Sequence, residues 1–85
     1  MKKMPLDDQH IYVSALRYAL GRHTYITRLT TDSIIRHIKE FDESTLRTMV
    51  NDLDGYFDHI TDKDDTDFTI WTELAKAVYK QLLEG

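Results

Sequence analysis

Apolar residues recur along this chain at three- and four-residue intervals, the helical period, and nowhere alternate as a half-buried strand would require. The pattern predicts four helices. The first, over about Asp8 to Leu20, places Ile11, Tyr12, Ala15, Leu16, Ala19 and Leu20 on its buried stripe. The second, about Thr31 to Phe41, has Ile34, Ile35, Ile38 and Phe41 in register. The third, about Glu43 to Ile60, turns Leu46, Met49, Val50, Leu53, Phe57 and Ile60 inward. The fourth, about Asp67 to Leu83, buries Trp71, Leu74, Ala75, Val78 and Leu82.

Three of the starts share a signature. Leu6-Asp7 precedes Ile11, Leu29-Thr30 precedes Ile34, and Phe41-Asp42 precedes Leu46. Each pairs an oxygen-bearing cap with an apolar residue placed to pack on the fourth helical position. The fourth start, at Thr66 or Asp67, has the cap without that apolar partner. Gly21 stands where the first helix needs a left-handed residue to end. Residues 22–29 break the pattern: Arg22-His23-Thr24-Tyr25-Ile26-Thr27 is β-branched and aromatic and reads as an extended connector between helices one and two. An unpaired extended segment is also a template for pairing with its copy, so a homodimer is the alternative there. The expectation is an all-α, compact four-helix domain, with residues 1–85 forming one unit, since 85 residues leave no room for two cores.

Composition narrows the classes. There is no cysteine, hence no disulfide and no thiolate chemistry. Lys2 and Lys3 are not followed by an apolar run, and no stretch has membrane-spanning length, so a cytoplasmic protein without membrane contact is expected. Charge is laid out unevenly. Residues 9–39 carry Arg17, Arg22, Arg28, Arg36 and Lys39 against Asp32 alone, whereas residues 40–67 carry ten carboxylates against Arg47 and Lys63. Such a dipolar chain orients against a charged partner or keeps its own halves soluble.

Candidate chemistry sits at the end of the first helix. Arg17, Tyr18, Arg22, His23, Tyr25 and Arg28 fall within twelve residues around Gly21. Guanidinium groups grip phosphates and carboxylates bidentately, and phenolic rings stack on bases or fill pockets. A solvated face whose arginines pair with the acidic half is the plainer reading. In the acidic half, Asp54, Asp58 and Asp62 are regularly spaced, as in a mimic of a nucleic-acid backbone. The stretch 62–73 has oxygen ligands spaced like a calcium loop, but Asp67 occupies the turn position that needs glycine, so it reads as a solvated loop before helix four. Helices two and three have helix-turn-helix spacing, yet the second gathers Asp52, Asp54 and Asp58, which argues against direct DNA binding. His10, His23, His37 and His59 are scattered, and neither a phosphate loop nor an activated nucleophile is in view, so no enzyme, metal or cofactor is expected.

The stretch Ala15-Leu16-Arg17-Tyr18-Ala19-Leu20-Gly21-Arg22-His23-Thr24-Tyr25-Ile26 resembles a segment of small proteins encoded by bacteriophages and prophages of Gram-positive bacteria. That resemblance implies a phage accessory protein and, by analogy, an inhibitor of a host enzyme or defence system such as a CRISPR nuclease. The leading expectation is a non-enzymatic protein that binds and modulates a host or phage protein through the Arg/Tyr cluster. Two alternatives stand beside it: a nucleotide or phosphate ligand held by that cluster, and nucleic-acid mimicry by the acidic face.

Overall fold

The computed structural model describes residues 3–20, 22, 24–60 and 66–84, and among them every regular element is helical. Helix α1 spans Leu6–Ala19, α2 Thr24–Arg36, α3 Glu43–His59 and α4 Thr66–Glu84, with a short 3₁₀ turn, Ile38–Glu40, between α2 and α3. Helix α4 packs on α2 and α3, and α1 lies against α2 and α3. Leu16, Ala19, Ile34, Phe41, Met49, Leu53, Trp71, Leu74 and Val78 meet in one core and are almost wholly buried. No helix among the described residues is long and apolar enough to cross a membrane.

Helices α3 and α4 lie where the apolar period put them, within a residue or so at each end. Asp42 holds the N-cap position of α3 in extended geometry, although its side chain makes no cap bond. The first half of the chain departs from expectation in two ways.

First, residues 24–29 are not an extended connector but the opening turns of α2, so the strand that would pair across a dimer is absent there. Thr27, Thr31 and Ile34 are buried one turn apart and face the core. The β-branched character of Thr24, Ile26 and Thr27 lowers helix propensity by only tenths of a kcal/mol per residue, and burial of one helical face overrides it. Leu29-Thr30 accordingly lies inside α2 rather than capping it. That helix stops at Arg36, five residues early, and the chain tightens into the 3₁₀ turn before Phe41 enters the core.

Second, the buried stripe of α1 is rotated from the expected one. The helix begins at Leu6 after Pro5, not at an Asp7 cap, and Leu6 is exposed. Gln9, Val13, Leu16 and Ala19 face inward, while Ile11 and Ala15 face out. The cause is Gln9. Its Oε1 accepts hydrogen bonds from the Asp42 backbone N–H at 2.9 Å and the Thr45 hydroxyl at 2.6 Å. Its Nε2 donates to the Met4 carbonyl at 2.6 Å and to Asp42 Oδ2 at 3.3 Å. Both donor and both acceptor positions of the amide are thus used, which makes its burial tolerable. The Gly21 cap position falls outside the described residues; Arg22 N–H donates to the Ala19 carbonyl at 2.9 Å as α1 ends.

Candidate functional site

The cationic and phenolic residues around the end of α1 are divided by the fold among three surroundings. Arg17 leans toward α3, where its Nε donates to Asp52 Oδ2 at 2.8 Å. Asp52 is largely covered, its side chain only 18% exposed, so this bridge ties α1 to α3. Arg28 faces α4 and lies 3.8 Å from Glu73, both side chains well exposed. Arg22 turns back on α1: its Nε donates to the Tyr18 carbonyl at 3.0 Å, and its guanidinium carbon stands 4.5 Å from the Tyr18 ring centroid. A guanidinium over an aromatic face at that distance is a cation–π pair. Arg17 and Arg22 are therefore engaged with different groups of their own chain. His23 lies outside the described residues.

The acidic residues are arranged more simply. Asp54 and Asp58 are exposed one turn apart on α3, and Asp62, like residues 63–65 of the calcium-like loop, lies outside the described residues. Tyr79 of α4 donates its hydroxyl to Asp54 at 3.4 Å. Partial burial, reinforced by the charge and hydrogen bond of Asp54, holds the Tyr79 phenol above the ordinary tyrosine value.

Among the residues that α1 and α2 leave outside are several large apolar and aromatic side chains. Ile11 is 63% exposed, Tyr18 59%, Tyr25 69% and Leu29 52%. Ile11 and Tyr18 are seven residues apart on α1, and Tyr25 and Leu29 four apart on α2, so each pair shares one helix face. Between the two helices runs a shallow groove of about 200 Å³ bordered by Ile11, Ala15 and Leu29. It adjoins a larger open pocket of about 550 Å³ at the head of α1, and Ile11 and Tyr12 line both.

Residues 3–5 close one side of that pocket and are stapled across the 3₁₀ turn. Met4 N–H donates to the Glu40 carbonyl at 2.8 Å, and Lys3 Nζ reaches the carbonyls of Lys39 and Phe41 at 3.4 and 3.1 Å. On the opposite side His37 Nδ1 stands 2.6 Å from Glu40 Oε2. Tyr12 forms the back, its ring 5.9 Å from the His37 ring and edge-on to Phe41 at 5.3 Å.

Sequence reasoning singled out Tyr18 and Tyr25 but assigned Ile11 to the core and missed Leu29, Asp8, His37 and Glu40 as surface-shaping residues. The His37-x-x-Glu40 spacing carried a signal, since residues three apart meet within one turn. The exposure of Ile11 carried none until Gln9 was placed. No protein-family model, no curated protein and no solved structure matches this chain.

Proposed function

We propose that this domain is a non-enzymatic protein-binding module that docks its partner on the outward face of α1 and α2. The supporting observation is the exposure of Ile11, Tyr18, Tyr25 and Leu29 on two adjacent helices, with Arg22 stacked on Tyr18 among them. Exposed apolar residues scattered singly need no explanation, but a group on one face is the usual mark of an interaction surface. Tyrosine and arginine are also the residue types that most often anchor interfaces. The partner proposed is a host or phage protein, in keeping with the resemblance of residues 15–26 to small phage proteins.

A phosphate ligand would need Arg17 and Arg22 on one anion, whereas Asp52 and Tyr18 hold them apart. Nucleic-acid mimicry would place the partner on Asp54 and Asp58 instead. The test is to isolate the partner by co-purification from an infected host and then titrate the purified pair by calorimetry. Ile11→Asp and Leu29→Asp each weaken binding about tenfold or more, while Asp54→Asn and Asp58→Asn together change it less than about threefold. The reverse ranking overturns the reading in favour of the acidic face.

A further inference from the structure

We propose that the pocket at the head of α1 receives a basic side chain, Lys or Arg, from the protein segment docked on the α1–α2 face. The inference rests on the docking reading above and adds the chemistry of the anchor. Among the described residues Asp8 makes no hydrogen bond or ion pair, and Glu40 commits one carboxylate oxygen to His37, leaving its other oxygen free. Lys3, the one lysine among the described lining residues, directs its ammonium at the carbonyls of Lys39 and Phe41. Two carboxylates, Asp8 and Glu40, therefore stand against the single ammonium of Lys3, which keeps its charge, and the carboxylate in excess favours a cation over an anion.

The walls suit the rest of such a side chain. Ile11 and Met4 offer apolar surface to an aliphatic stem, and the Tyr12 ring offers a face to an ammonium or guanidinium. A basic side chain carried by a protein fits better than a free amine because the pocket does not end at Tyr12. It continues through Ile11 into the groove beside Ala15 and Leu29, where apolar residues following the basic one would lie.

Three probes separate these outcomes by NMR titration, followed on the signals of Ile11, Tyr12 and His37: acetyl-Arg-Leu-Leu-amide, butylguanidinium and butyrate. The peptide is expected to saturate with a dissociation constant of roughly millimolar order, about fivefold or more tighter than butylguanidinium, with butyrate giving no saturable shift. Asp8→Asn combined with Glu40→Gln is expected to weaken the peptide about fivefold or more at unchanged melting temperature. Saturable butyrate binding, no saturable peptide binding, or indifference to the double substitution overturns the proposal. Equal affinity for peptide and butylguanidinium overturns its protein source. The calorimetric loss in Leu29→Asp uses none of these probes, so failure here with that loss intact removes the basic anchor and leaves the docking face standing.

Discussion

Two residues apart on α1, Gln9 is fully buried and Ile11 is mostly exposed, the reverse of what their side chains would choose alone. The inward region is a junction where one amide joins Met4, the start of α3 and Thr45. The outward region is a face of Ile11, Tyr18, Tyr25 and Leu29, exposed apart from the Arg22 guanidinium over the Tyr18 ring. A buried polar group is stable when each of its hydrogen bonds is met, and it then sets the rotation of the whole helix. Apolar residues carried outward by that rotation lose the burial they would otherwise gain, a sacrifice that makes sense if something else covers them. The phase of α1 comes from hydrogen bonding, and its surface from what that phase leaves over.

Substitutions on the buried side of α1 carry the largest effects. Leu16→Ala, on the wholly buried side of α1, lowers stability by about 2–5 kcal/mol in denaturant titration, because a cavity replaces side-chain contact. Gln9→Leu leaves the Asp42 N–H, the Thr45 hydroxyl and the Met4 carbonyl unmatched and removes about 2–3 kcal/mol. For a domain of this size that lowers the melting temperature by about 10–20 °C. A Gln9→Leu variant as stable as the parent would show that the amide does not set the phase of α1. Arg17→Gln loses the Asp52 bridge and costs about 0.5 kcal/mol, since the guanidinium is more than half exposed. Ile11→Ala stays within about 0.5 kcal/mol of the parent, the sharpest contrast with Leu16→Ala on the same helix.

The smallest effect belongs to the acidic half. A raised pKa in the folded state means that the neutral Tyr79 phenol is favoured there. Its contribution to stability is present below the ordinary tyrosine range and is lost as pH rises through the folded-state value. In an absorbance titration of the phenolate, Asp54→Asn should move the ionisation of Tyr79 toward lower pH; an unchanged curve would show that Asp54 does not act on it.

Helices α3 and α4 were legible in the sequence because Asp42, Leu46, Met49 and Leu53, and Trp71, Leu74 and Val78, keep local spacing and burial in agreement. The start of α2 was hidden because Thr24, Tyr25, Ile26 and Thr27 favour extended backbone locally, and only contact with α4 and α1 makes them helical. The stripe of α1 was hidden for a different reason: hydropathy ranks Ile11 above Gln9, and the partners that reverse this, Asp42 and Thr45, lie more than thirty residues away. The site divides likewise. Tyr18 and Tyr25 stand out as exposed aromatics beside a helix end, but the separation of Arg17 from Arg22 depends on Asp52, which no local spacing reveals.

Side-chain oxidative footprinting of the domain, free and bound to its purified partner, tests the docking face most directly. Protection concentrated at Ile11, Tyr18, Tyr25 and Leu29, with Tyr79 beside Asp54 left as reactive as in the free protein, is the expected pattern. Protection of Tyr79 with those four side chains unchanged would place the partner on the acidic helices and contradict the account.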